Sequence, residues 1–106
     1  MIYSPHSLLK LVRDGKLIKH LAHRELTTPE GVGFDLRLAG LSRLTKGSGS
    51  LRESTRRTPA SEVMLANPDE CFIMEPGETY LASTIEEFDL PEDLAALFFP
   101  RSTLFR

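Results

Sequence analysis

Residues 71–99, CFIMEPGETYLASTIEEFDLPEDLAALFF, carry the clearest indication of the fold class. Short apolar segments are separated here by turn sequences in which Pro is followed by Gly or by acidic residues. Counting one further segment upstream, the apolar segments are 62–65, 71–74, 80–85 and 94–99. Short strands with turn signals roughly every 8–12 residues are typical of all-β barrels and sandwiches. The pattern therefore predicts a mostly β domain.

The last of these segments, 94–99, is apolar at every position. A continuous apolar run of this length predicts a strand that is covered on both faces. Since the sequence continues only to Arg106, we expect the cover to come from other subunits or from residues beyond Arg106.

Upstream, the sequence predicts one short helix close to the N-terminus. Ser4 can cap the free N–H groups of the first turn, and Pro5 suits the first helical position because its missing donor costs nothing there. The apolar face predicted from the i, i+3, i+4 spacing consists of Leu8, Leu11 and Val12. Gly15 supplies the left-handed residue that ends such a helix.

Between this helix and the β segments, three further stretches have recognisable patterns. Residues 16–19 predict the start of an extended segment, and residues 34–38 alternate apolar and polar side chains as a half-buried strand does. Residues 45–59 are rich in Gly, Ser and Arg without periodicity, which predicts a long mobile loop.

Composition narrows the classes of protein. A length of 106 residues predicts a single domain over 1–106. No run approaches the roughly 18 apolar residues of a membrane span, and the N-terminus lacks a basic leader with an apolar signal core, so we expect a cytoplasmic protein without a membrane partner. One cysteine, Cys71, excludes an intrachain disulfide, and with three histidines it leaves little material for a zinc site.

Charge is unevenly distributed along the chain. Residues 1–58 hold 11 basic and 5 acidic residues, whereas residues 59–106 hold 2 and 10. A basic half can serve an anionic partner, or it can be an ordinary solvated surface. Because its only aromatic residues are Tyr3 and Phe34, a stacking platform for nucleic acid is not expected.

The segment after the last apolar run has the residue types of a phosphate-binding site. It contains Arg101, Ser102, Thr103 and Arg106. Guanidinium groups bind phosphate oxygens in a bidentate manner, and hydroxyl groups add neutral donors beside them. A polyphosphate site is one interpretation of this segment, and a solvated surface turn is the other.

Five segments, taken in order, resemble the superfamily of deoxycytidine triphosphate (dCTP) deaminases and deoxyuridine triphosphatases (dUTPases), and dCTP deaminase most closely. They are 4–18, 33–38 (GFDLRL), 76–86 (PGETYLASTIE), 90–94 (LPEDL) and 101–104 (RSTL). The first is similar to the deaminases' N-terminal helix and strand, the second to their Val-Asp-Leu-Arg-Leu strand, and the third to their Pro-Gly-Glu strand. The last two are similar to the turn and the nucleotide-binding motif that follow.

This resemblance implies a mostly β, dUTPase-like barrel with a short N-terminal helix, of which the chain is the N-terminal portion. It also implies a homotrimer with active sites between subunits. In such a site Arg101, Ser102, Thr103 and Arg106 would bind the triphosphate and sugar, with Mg²⁺ bridging phosphate oxygens. Asp35 is a candidate site acid or a structural carboxylate.

The resemblance further implies hydrolytic removal of ammonia from dCTP, giving dUTP. Arg106 favours this reaction, whereas Pro100 is closer to the dUTPase pattern, in which dUTP gives dUMP and pyrophosphate. No residue matches the catalytic base of either family, because that residue lies beyond the nucleotide-binding motif. A non-catalytic nucleotide-binding relative is therefore the third alternative.

Overall fold

The structure is a computed structural model, and it describes residues 1–102. Over that range the helices are α1 (Pro5–Arg13) and α2 (His23–Thr27), and the strands are β1 (Leu17–Lys19), β2 (Leu38–Leu44), β3 (Ser50–Leu51), β4 (Arg56–Arg57), β5 (Ser61–Val63), β6 (Tyr80–Thr84) and β7 (Glu87–Asp89). All strand pairs are antiparallel. The prediction of a mostly β chain with a short N-terminal helix is confirmed.

Helix α1 begins and ends at the residues that the sequence predicts. The Ser7 N–H donates to the Ser4 hydroxyl over 3.3 Å, and Pro5 occupies the start of the helix. Gly15 follows the C-cap with a φ of +74°, a conformation that costs glycine nothing. The N-cap at Ser4 contributes about 1 kcal/mol.

The buried face of α1 differs from the predicted one. Leu9 and Val12 are buried, together with Pro5, whereas Leu8 and Leu11 are only partly covered. Both leucines line an open groove of about 530 Å³, which is also lined by Leu90, Pro91 and Leu94. Because leucines occur on two adjacent faces of this helix, their spacing could not determine which face is buried.

The chain forms two compact groups of residues, and the first consists of 1–35 together with 86–102. In this group β1 pairs with β7, so that Ile18 lies opposite Phe88. The extended segment predicted to start at 16–19 corresponds to β1, in which Leu17 and Ile18 are buried. Strand β7 was not predicted, since its sequence, Glu-Phe-Asp, has one apolar residue and is assigned by its pairing rather than by its pattern.

The second group consists of residues 36–85. Its three-stranded sheet has the order β5-β2-β6, and Leu41 of β2 is buried. The turn that leads into β6 has Gly77 at a φ of +78°, as the third position of a type II turn after Pro76 requires. The predicted strand at 80–85 is confirmed as β6, and the one at 62–65 corresponds to β5, which begins one residue earlier.

Three predicted strands need correction. The strand expected at 34–38 begins only at Leu38, because the N–H of Asp35 donates to a Glu25 side chain instead of a neighbouring strand. Residues 71–74 form no strand, since Asn67 bonds the backbone N–H and C=O of Cys71 and closes a loop there. Residues 94–99 are neither a strand nor buried.

In the part of the chain that the structure describes, no strand lies beside residues 94–99 to bond their backbone. The apolar side chains of Leu97, Phe98 and Phe99 are largely exposed. An unbroken apolar run indicates burial in a sheet only where a neighbouring strand is present, and the run itself carries no information about such a strand.

Residues 45–59 contain the hairpin of β3 and β4, paired from Ser50 to Arg57. Gly49 allows a close approach there, since a Cβ would lie 3.0 Å from the Arg57 carbonyl oxygen. The mobility of this segment, closure of a barrel and a single domain over 1–106 remain predictions. Within residues 1–102, no helix is long and apolar enough to cross a membrane.

Candidate functional site

Two of the residues singled out from the sequence lie side by side in the structure. Arg101 Nη1 is 3.2 Å from Asp35 Oδ2, although the two residues are far apart in the chain. Their side chains are 60% and 45% exposed, and ion pairs that are exposed to this degree contribute about 0–1 kcal/mol to stability. The pair therefore does more to orient the guanidinium than to stabilise the fold.

Asp35 is itself held by a buried carboxyl group. Its backbone N–H donates to Glu25 Oε2 over 3.2 Å, and Glu25 is only 4% exposed. Sequence reasoning missed Glu25, because the residue stands beside Arg24 in a stretch with no predicted helix. Only the tertiary contact distinguishes it from an ordinary surface glutamate.

Two side-chain hydrogen bonds stabilise the short helix α2, which carries Glu25. Arg13 Nη2 of α1 donates to the Leu26 carbonyl oxygen over 3.3 Å. Arg24 Nη2 bonds Glu30 Oε1 over 2.9 Å, just beyond the end of α2. A five-residue helix does not persist by its own propensity, so these contacts hold Glu25 in place.

Arg101 lies at the end of a segment that contacts β7 through an aromatic pair. The rings of Phe98 and Phe88 meet edge to face, with centroids 5.3 Å apart and an interplanar angle of 82°. Such pairs contribute about 0.5–1.5 kcal/mol beyond the area that they bury. This contact, three residues before Arg101, restrains the backbone that carries the guanidinium.

The remaining predicted site residues are placed only in part. Ser102 is exposed and directly follows Arg101, while Thr103 and Arg106 lie outside the described residues. The structure thus brings Arg101 and Asp35 together, and Ser102 directly follows Arg101 in sequence. The joint phosphate-binding role of Arg101, Ser102, Thr103 and Arg106 stays a prediction.

The chemistry available at this site is that of anion binding. A guanidinium has three nitrogen atoms, and one of them, Nη1, is engaged with Asp35. Its half-exposed position lets solvent and a dissolved anion reach it. Among residues 1–102, no group of three or more His, Cys, Asp or Glu side chains could hold a metal ion.

Comparison with known proteins gives a consistent picture. A family model described as dCTP deaminase-like matches residues 2–106. A probable deoxyuridine 5'-triphosphate nucleotidohydrolase of Methanothermobacter thermautotrophicus is 42% identical over 77% of this chain and 51% of its own length. A dUMP-forming dCTP deaminase of Dictyoglomus thermophilum is 31% identical over the whole chain and 56% of its own length.

A third relative, a probable deoxyuridine 5'-triphosphate nucleotidohydrolase of Methanopyrus kandleri, is 36% identical over 70% of this chain and 47% of its own length. The chain therefore spans about half the length of the curated relatives that it matches. No solved structure matches it significantly.

Proposed function

This chain belongs to the dCTP deaminase-like family, and on that premise we propose that it binds dCTP and takes part in its hydrolytic deamination. The observation that carries the proposal is the placement of Arg101. Its guanidinium is oriented by Asp35, half-exposed, and located at the start of the segment that resembles the nucleotide-binding motif. Each charge-assisted bond from such a group to phosphate contributes about 1.5–3 kcal/mol.

In the proposed reaction, water adds to C4 of the cytosine ring and ammonia leaves, so that dCTP becomes dUTP. Arg101 and Ser102, joined by Thr103 and Arg106, bind the triphosphate and sugar. No residue of this chain is assigned as the catalytic base. The proposal includes a homotrimer, with sites between subunits, acting on nucleotides in the cytoplasm.

Magnesium enters this proposal with the substrate. Mg²⁺ is usually held by one or two carboxylates together with substrate phosphates and water, not by a cage of protein ligands. When bound, the ion neutralises charge on the phosphates, and its requirement is tested by repeating the assays with EDTA.

Hydrolysis of dUTP to dUMP and pyrophosphate is the second candidate. It is favoured by the 42% identity to the relative from Methanothermobacter thermautotrophicus, whose name describes that substrate. Pro100, which is closer to the dUTPase pattern, favours it as well. The name of the Dictyoglomus thermophilum relative suggests a combined reaction, in which dCTP and two waters give dUMP, ammonia and pyrophosphate.

Product analysis separates these alternatives. The 106-residue chain is incubated with Mg²⁺ and either dCTP or dUTP, nucleotides are resolved by anion exchange, and ammonia and pyrophosphate are assayed separately. The proposal predicts ammonia from dCTP, with dUTP as the nucleotide product. Pyrophosphate from dUTP without ammonia from dCTP would establish the second candidate, and binding without turnover would identify a non-catalytic relative.

A further inference from the structure

We propose that Glu25 is a positioning residue for nucleotide binding: it holds the backbone of Asp35 and thereby sets the orientation of Arg101. This inference rests on the proposed function, because it assigns a role within the same site. It concerns a buried residue that sequence patterns did not identify.

The burial of Glu25 is the first step of the argument. Its side chain is 4% exposed, whereas most acidic residues of the described chain are on the surface. Burying a carboxyl group is costly unless it is hydrogen-bonded, and an apolar residue of similar volume would usually be tolerated as well or better. A buried glutamate at this position is therefore better explained by the bond that it makes than by packing.

That bond is directed at the candidate site. Glu25 Oε2 accepts from the N–H of Asp35 over 3.2 Å, and this contact replaces the strand pairing expected at 34–38. A backbone N–H and a side chain share one Cα, so fixing the N–H restricts where the short side chain of Asp35 can reach.

The second contact completes the connection from Glu25 to the guanidinium. Asp35 Oδ2 lies 3.2 Å from Arg101 Nη1, so the position of the Asp35 carboxylate sets where the guanidinium meets its partner. The position of Arg101 therefore depends on that of Asp35, and the position of Asp35 depends on the bond between its backbone N–H and Glu25. The three residues act in series.

Two substitutions at position 25 separate positioning from burial. Glu25→Asp withdraws the acceptor by one carbon–carbon bond, about 1.5 Å, whereas Glu25→Gln keeps an acceptor oxygen at the original reach. We expect Glu25→Asp to weaken dCTP binding by up to about fivefold, the limit for an effect transmitted through one exposed ion pair, and Glu25→Gln to weaken it much less. Calorimetry with dCTP and Mg²⁺ measures both, with circular dichroism as the folding control. Equal affinities for Glu25→Asp and the parent chain would overturn the inference.

A double-mutant cycle tests whether Glu25 acts through Arg101. If it does, Glu25→Asp has no further effect on dCTP binding in the Arg101→Ala background, because coupled residues are not additive. The same loss in both backgrounds would assign Glu25 a separate structural role. Asp35→Asn, at an exposed side chain, covers the case in which Glu25→Asp does not fold. It should also weaken binding, and unchanged affinity in Asp35→Asn would remove the connection.

A nucleotide-free measurement distinguishes failure of this inference from failure of the proposed function. The Nε–Hε resonance of Arg101 in a ¹⁵N-correlated spectrum reports on its surroundings. Glu25→Asp should shift it towards its position in Asp35→Asn, and an unshifted resonance would contradict the positioning role. If Arg101→Ala binds dCTP as the parent does, the proposed site is wrong, yet the resonance still decides whether Glu25 positions Arg101.

Discussion

Residues 1–35 with 86–102, and residues 36–85, are both held by antiparallel strand pairs, but they differ in what they bury. Among the described residues, six of the seven buried apolar side chains, Pro5 included, lie in the first group, and Leu41 alone lies in the second. Both buried acids, Glu25 and Glu86, also belong to the first group. The second group has the larger sheet, yet Val63 and Leu65 remain 80% and 90% exposed.

The difference shows that a hydrogen-bonded sheet is not by itself a hydrophobic core. Backbone hydrogen bonds largely exchange protein partners for water, whereas burial of apolar area is the main favourable contribution to folding. The candidate site is accordingly built on the group of residues that buries more.

Replacing one buried leucine of the first group and one exposed leucine of the second should show the difference between the groups most clearly. Leu9→Ala removes a side chain that is 4% exposed and should lower the free energy of unfolding by about 2–5 kcal/mol. Leu51→Ala, at a side chain that is 83% exposed, should change it by less than about 0.5 kcal/mol. Urea denaturation measures both, and similar losses in the two variants would contradict the contrast.

Replacing a glycine that has a left-handed backbone, in contrast, should lower the free energy of unfolding equally in both groups. Gly15 and Gly77 have φ values of +74° and +78°, and a Cβ at either position would meet nothing within 4 Å. Gly15→Ala and Gly77→Ala should each destabilise by about 1–3 kcal/mol, since only the left-handed backbone is penalised. Gly33→Ala, where φ is not left-handed and the space is also open, is the control. A loss at one glycine alone would indicate a local contact effect.

The smallest effects are expected from the exposed ion pairs. Arg24–Glu30 spans 2.9 Å in the first group, and Arg43–Glu62 spans 3.2 Å in the second. Glu30→Gln and Glu62→Gln should each cost no more than about 1 kcal/mol, and less in 1 M salt, because solvent screens both pairs. Thermal unfolding at low and high salt measures this. A loss above 2 kcal/mol that salt does not reduce would show that one pair is more than a surface contact.

The features that the sequence predicted well are those set by neighbouring residues. The cap at Ser4, the stop at Gly15 and the turn at Gly77 each depend on a conformation that few residue types adopt easily. Strand β6 corresponds to a short apolar segment that lies between two turn sequences, the pattern from which it is predicted. These signals lie within a few positions of the structure that they predict.

The features that the sequence did not predict depend on distant partners. Strand β7 forms because it pairs with β1. Residue Asp35 is not part of a strand, because its N–H donates to the Glu25 side chain. Residues 94–99 have an apolar pattern but no described strand beside them. The sequence indicates Arg101 and Asp35 separately as candidate site residues, but it does not predict their contact, because the two residues are far apart in the chain.

Whether Arg101 binds the triphosphate is tested by the affinity of the 106-residue chain for dCTP after removal of the Arg101 side chain. The matched control is Arg52→Ala, which removes an exposed arginine in the 45–59 segment. With Mg²⁺ present, isothermal calorimetry should show dCTP binding weakened roughly ten- to a hundredfold in Arg101→Ala, as loss of one charge-assisted phosphate contact requires. Arg52→Ala should bind as the parent does. Equal affinity of Arg101→Ala and the parent chain would contradict the placement of the triphosphate at Arg101.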